Sequence, residues 1–155
     1  MTEARRPYEY ALNLLAARAY TVRDMRRKLT QKGFEPGDID QAVDRLMSSG
    51  LLDDARFAAE FARQRLVVVG ASQRRVEQQL AVKGIARDVA RAAAAKVVEE
   101  EEVDTVGSME RIARKKVASM GDLDPFVLRR RLFGFLARKG YDLDEIKQVV
   151  SRILP

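Results

Sequence analysis

Apolar side chains recur at three- and four-residue spacing along most of the chain, the interval that gathers them onto one face of a helix. From Tyr8 to about Ala19 this places Tyr8, Ala11, Leu12 and Leu15 on one side. Thr21 then has the character of a helix cap, and Val22, Met25 and Leu29 form the inner face of the helix that follows. A third helix is predicted from about Pro36 to Ser48, burying Ile39, Val43, Leu46 and Met47. The plan returns with Arg56 to Leu66 carrying Phe57, Phe61, Ala62 and Leu66, then a Ser72 cap ahead of Val76 and Leu80, then an alanine-rich helix from about Ala86 to Glu102. It returns once more with Met109, Ile112, Ala113, Lys116 and Val117, with Leu128, Leu132 and Leu136 behind Asp124 and Pro125, and with Ile146, Val149, Val150 and Ile153.

A shared turn punctuates these copies. Leu29, Lys32, Gly33 and Phe34 recur at the same spacing as Leu80, Lys83, Gly84 and Ile85, and again as Leu136, Lys139, Gly140 and Tyr141. Each glycine suits a left-handed helix exit, and the apolar residue after it can fold back on the last turn. The cap-to-leucine offset from Thr21 to Leu29 is repeated from Ser72 to Leu80. The fold expected is therefore all-α, three tandem three-helix repeats in an elongated array able to curve, with modules at 1–50, 51–106 and 107–155. Short helices of this kind are marginal alone and must pack within their module. Gly107 and Ser108 are expected to form a hinge, and the four glutamates Glu99 to Glu102 an exposed helix end. Only the valine run after Leu66 competes as a strand; Gly70 is expected to end a helix there.

Composition narrows the chemistry. The chain has no Cys and no His, which removes disulfides, thiolate metal sites and imidazole catalysis. No stretch has the length and apolarity of a membrane span, and Met1 to Tyr10 has no apolar leader character, so a soluble cytoplasmic monomer is expected. No glycine-rich phosphate loop or catalytic dyad is present, and the reading is a non-enzymatic protein without cofactor or bound metal. The net charge of +6 is unevenly spread. Residues 1–34 hold eight basic and three acidic side chains, 35–108 ten and fourteen, and 109–155 eleven and six. Basic ends favour a polyanion or an acidic protein groove, or simply solubilise the helices.

Between the first two modules, Asp53 and Asp54 stand beside Leu51, Leu52, Arg56 and Phe57, with the three apolar residues expected to be buried. One carboxylate is suited to cap the next helix and the other to hold Arg56 or Arg63; a contact with a partner and a magnesium site are the alternatives, the last short of ligands. Arginines and lysines gather just before each glycine, among them Arg23, Arg27, Arg74, Arg75, Lys83, Arg130 and Arg138. Alternating aromatics are missing beside them, which argues against a base-stacking surface.

These residues, in this order, resemble the RecX family of bacterial recombination regulators. The resemblance runs from about Tyr8 to Leu154 and is most specific at Gly50-Leu51-Leu52-Asp53-Asp54, Arg56-Phe57-Ala58, Phe61 with Arg65, Arg74-Arg75-Val76, and Leu80 with Lys83-Gly84-Ile85. Thr21-Val22-Arg23-Asp24-Met25, Lys28-Leu29, Lys32-Gly33-Phe34, Lys115-Lys116 and Arg138-Lys139-Gly140-Tyr141 continue it. It departs from the family at Asp24-Met25, where a glutamate before leucine is frequent, and at an entry to module two with the single glycine Gly70. The resemblance implies a protein that binds the RecA recombinase filament and restrains its ATPase, strand-exchange and co-protease activities, with weak affinity for single- or double-stranded DNA. Asp53, Asp54, Arg56, Arg65, Arg74, Arg75, Lys83, Arg130 and Arg138 are the partner-binding candidates. Competition for single-stranded DNA is the alternative mode.

Overall fold

The computed structural model describes residues 5–155, so residues 1–4 of the segment expected to lack leader character lie outside the described residues. Among the described residues nine α-helices follow one another: α1 (Arg5–Ala17), α2 (Val22–Lys32), α3 (Pro36–Ser48), α4 (Asp54–Arg63), α5 (Gln73–Val82), α6 (Arg87–Glu100), α7 (Thr105–Met120), α8 (Pro125–Arg138) and α9 (Leu143–Ile153). The described residues form no strand. Among the described residues the main helix packing falls into three groups, α1–α3, α4–α6 and α7–α9. Each group closes its own core, around Met25, Leu29, Val43 and Leu46 in the first, Val76, Leu80 and Ala94 in the second, and Met109, Leu132, Leu136 and Ile146 in the third. Fully burying one such leucine contributes about 1.5–3 kcal/mol, so each thin core depends on a few side chains.

The caps explain where the helices start. Thr21 accepts from Asp24 N at 3.2 Å, Ser72 from Arg75 N at 3.1 Å, and Asp124 from Phe126 N at 2.9 Å, with Pro125 in the first turn where its missing N–H costs nothing. Gly33, Gly84 and Gly140 lie at the corresponding exits with φ of 97°, 86° and 89°. Lys83 and Lys139 take the nominal cap position at the second and third exits, one residue ahead of the glycine. Leu132 and Leu136 are both fully buried because α8 is one turn longer than α2. One keeps the spacing from the cap and the other the spacing to the glycine.

Some expectations change. The helix expected to end near Leu66 runs on to Val69: Gln64–Val69 continues α4 as a π-helical stretch, not a strand, and Gly70 ends it at φ 73° as expected. Helical hydrogen bonding already propagating from α4 outweighs the local β-propensity of three valines. Gly107 and Ser108 are not a hinge, since Asp104 caps α7 through Gly107 N at 2.9 Å and both residues are helical. Met47 is 50% exposed, and Ala42 takes the inner position expected of it. The glutamate run ends α6, with Glu102 in a left-handed conformation. Two of its members are engaged, Glu100 and Glu101 holding Arg63 at 3.8 and 3.0 Å.

Modules meet through turns and caps. Thr21 Oγ1 donates to Lys83 O at 2.9 Å, and Ser72 Oγ to Lys139 O at 3.2 Å. The Lys-Gly turn of one module is thus the acceptor for the cap hydroxyl of the module before it. The glycine permits the approach: a Cβ on Gly84 would sit 2.9 Å from Arg23 Cβ, and one on Gly140 2.7 Å from both Ser72 Oγ and Arg75 Cβ. At Gly33, by contrast, a Cβ would meet nothing within 4 Å.

Candidate partner-binding surface

Asp53, Asp54 and Arg56 are occupied by the first joint. Asp53 caps α4 through Arg56 N at 3.0 Å, and the Arg56 guanidinium donates to Gly50 O at 2.8 Å. Asp54 holds neither Arg56 nor Arg63; its carboxylate accepts from Val22 N at 2.9 Å, tying module two to the first turn of α2. The N–H groups of a helix's first turn lack intrahelical partners, so a carboxylate across the joint supplies what α2 cannot. Leu52 is buried in the core of module one and Phe57 packs against that of module two, but Leu51 is 42% exposed, because the turn after α3 directs only one of the adjacent leucines inward. The two carboxylates point to different helices, which leaves a shared magnesium ion no role here.

Arg65, Arg75 and Lys83 converge on a solvent-facing cavity of about 330 Å³ between α5 and the exit of α4. Phe61, Gln78, Gln79 and Val82 complete its wall. Arg75, Gln78, Gln79 and Val82 lie at three- and four-residue spacing on α5, so one face of that helix supplies most of the lining. Phe61 is a platform already covered: Phe57 stacks on it at 6.1 Å between ring centroids, Arg65 lies 5.1 Å from its centre and Lys83 5.9 Å. Arg65 Nε and Gln79 Oε1 are buried without a hydrogen-bond partner. Among the described residues no carboxylate lies within 4 Å of the Arg65, Arg75 or Lys83 side chains. A buried donor left unsatisfied is costly, and the three cations gathered here without a carboxylate make a site whose charge suits an anion. Arg74 is exposed but does not line this cavity.

Arg130 and Arg138 line a second cleft, about 420 Å³, with Lys116, Met120, Arg131 and Gly134. Its α8 residues repeat the four-residue spacing, and it is basic without an aromatic wall. Arg23 and Arg27, basic residues of the first module, are not free to form such a cleft. Arg23 donates across the first joint to Val82 O, and Arg27 pairs with Asp24 at 3.2 Å. Phe61, Gln78, Gln79, Lys116 and Arg131 were not singled out as site residues from the sequence. The signal for them was the helical spacing around Arg65, Arg75 and Arg130, read on the polar rather than the apolar face.

Among the described residues no helix is long and apolar enough to cross a membrane, and no group of three potential ligands is placed to hold a metal ion. Family models for the first, second and third three-helix domains of RecX match residues 8–46, 53–93 and 108–150. Regulatory protein RecX of Amycolatopsis mediterranei (strain U-32) is 36% identical over 133 residues, covering 86% of this chain and 74% of that one. Regulatory protein RecX of Mycobacterium avium (strain 104) is 35% identical over 142 residues, covering 90% and 79%. The crystal structure of RecX from Lactobacillus salivarius superposes with a TM-score of 0.79 at 18% identity, covering 97% of this chain and 96% of that one, a likeness of fold. With three domain models in order along one chain and relatives of this identity, the protein belongs to the RecX family of regulatory proteins.

Proposed function

We propose that the chain is a non-enzymatic, cytoplasmic regulator that binds the RecA recombinase filament and inhibits its ATPase, strand-exchange and co-protease activities. The observation that supports this reading is the module-two cavity, where Arg65, Arg75 and Lys83 face solvent without carboxylate partners and Arg65 Nε is buried unsatisfied. An acidic side chain of the filament, carried on a protein surface, matches that demand. A single strand gains less, because Phe61 is already engaged by Phe57 and Arg65, which a stacking base would have to displace or compete with. Modules two and three each carry a basic site, and an array of modules holding more than one contact is suited to bridging neighbouring subunits and impeding the motions that turnover requires.

Competition for single-stranded DNA is the second reading, supported by the module-three cleft, whose Lys116, Arg130, Arg131 and Arg138 suit phosphates. Inhibition of a recombinase's DNA-dependent ATPase, measured with binding to preformed filament and to naked single strand over one salt range, separates the two. The double variant Arg75→Ala and Lys83→Ala is expected to weaken inhibition about tenfold, with Arg74→Ala closer to the parent. Lys83→Ala keeps the carbonyl that receives Thr21, so the joint is retained. Strong naked-strand binding at inhibiting concentrations, with no preference for filament, would reject the filament reading.

A further inference from the structure

The second joint opens a further groove, which shares no residue with the Arg65 cavity and only Lys116 with the module-three cleft. It measures about 370 Å³ and lies between the π-helical exit of α4 and the facing sides of α7 and α8. Val68, Val69, Ile112 and Phe135 form its apolar surface, and Lys115, Lys116 and Lys139 stand around it. Val68 is 75% exposed and its neighbours Val67 and Val69 are exposed beside it, a contiguous apolar patch rather than a single surface side chain. Among the described residues no carboxylate lies within 4 Å of those three ammonium groups. The counterpart hollow at the first joint is lined by Asp53, Glu60 and Arg56 beside Leu15, Leu51 and Phe57, so its charge is offset internally.

We infer that the groove at the second joint receives a protein segment of the recombinase filament bearing aliphatic residues flanked by Asp or Glu. The inference rests on the filament reading above and names a contact separate from the Arg65 cavity. The apolar surface rewards aliphatic side chains by removing area from water, and the unpaired lysines select acidic neighbours. A nucleic acid fits poorly: Phe135, the single aromatic of the groove, is covered by Lys116 and Lys139 at 4.9 and 5.3 Å from its centre, and phosphates gain nothing from valines. Because the walls belong to modules two and three, an occupant would clamp them together beside the Ser72 latch on Lys139 O.

The test compares the parent protein with Val68→Ser, with the double reversal Lys115→Glu and Lys139→Glu, and with Val106→Ser, an exposed valine outside the groove. Affinity for a preformed recombinase filament and for a naked oligothymidylate strand is read by fluorescence anisotropy, with circular dichroism confirming helicity. Val68→Ser and the charge reversal are each expected to weaken filament binding about tenfold while Val106→Ser does not. If the parent binds the filament and all variants bind it equally, the groove is not a contact and the filament reading stands. If the parent does not bind the filament, both fall. Loss of naked-strand affinity matching the loss of filament affinity overturns the groove's assignment to a protein segment.

Discussion

At the joint between the first two modules Thr21 donates to Lys83 O, and at the next Ser72 donates to Lys139 O, yet the surroundings of these equivalent bonds differ. The first is reinforced by charge: Asp54 accepts from Val22 N and the Arg23 guanidinium donates to Val82 O. The second is reinforced by a buried phenol and by packing, with Tyr141 donating its hydroxyl to Gly70 O and Ile112 lying against Gly70. A common latch is therefore compatible with different supports, provided the cap can donate as well as accept. A hydroxyl does both, whereas a carboxylate only accepts. The caps at the two joints are Thr21 and Ser72, and the caps away from such a latch at α4, α7, α8 and α9 are Asp53, Asp104, Asp124 and Asp142.

The strongest way to break the parallel is at its glycines. Gly33→Ala is expected to cost about 1–2 kcal/mol, the price of a left-handed backbone for an L-residue. Gly140→Ala should cost about 2–5 kcal/mol, since the added methyl must also displace Ser72 and Arg75, with overpacking typically about 1–3 kcal/mol. Urea unfolding of the two variants checks this; equal losses would mean that the close approach at the second joint carries no energetic weight.

A smaller effect sharpens the role of the hydroxyl. Ser72→Ala should lose about 1–2 kcal/mol as both the cap and the latch disappear. Ser72→Asp should be no better than alanine, although aspartate is an excellent cap, because its carboxylate would face the Lys139 carbonyl. Asp104→Ser, at a cap with no latch, should stay within about 0.5 kcal/mol. Thermal denaturation that ranks Ser72→Asp level with the parent would remove the donor from the account.

The smallest change tests the support peculiar to the second joint. Tyr141→Phe removes the bond to Gly70 O and should cost about 0.5–1.5 kcal/mol at neutral pH. Burial pushes the Tyr141 phenol up to about 12 from its ordinary 10.0, with nearby Glu145 adding to the rise. The unfolded chain then releases this proton first as pH climbs, so the contribution is complete below pH 10 and is lost between about pH 10 and 12. Stability measured across that interval should fall less steeply in Tyr141→Phe than in the parent.

Much of the fold was legible because its determinants are local. The span of α3, the caps at Thr21, Ser72 and Asp124, and the exits at Gly33, Gly84 and Gly140 each depend on residues within a few positions of one another. The errors arose where a neighbouring element intervened. The helix expected to stop near Leu66 ran three residues further in π-helical form to the Gly70 end, Gly107 was recruited by the Asp104 cap, and Met47 and Leu51 lay just off the inner faces of their segments. Of the candidate site, the basic character of Arg65, Arg75 and Lys83 could be read, but their shared cavity could not, because Phe61 and Arg65 approach from another helical segment.

By itself the sequence determined three amphipathic three-helix units and the glycine turns that end their second helices, through periodicity, capping and the steric freedom of glycine at positive φ. Only the tertiary structure decided that Thr21 and Ser72 are fasteners as well as caps, and that Asp54 serves the backbone of α2. The hydroxyls' acceptors are Lys83 and Lys139, 62 and 67 residues further along the chain. No local pattern encodes so distant a pairing; it exists only once each module has closed its core and set a Lys-Gly turn against the cap of the module before it.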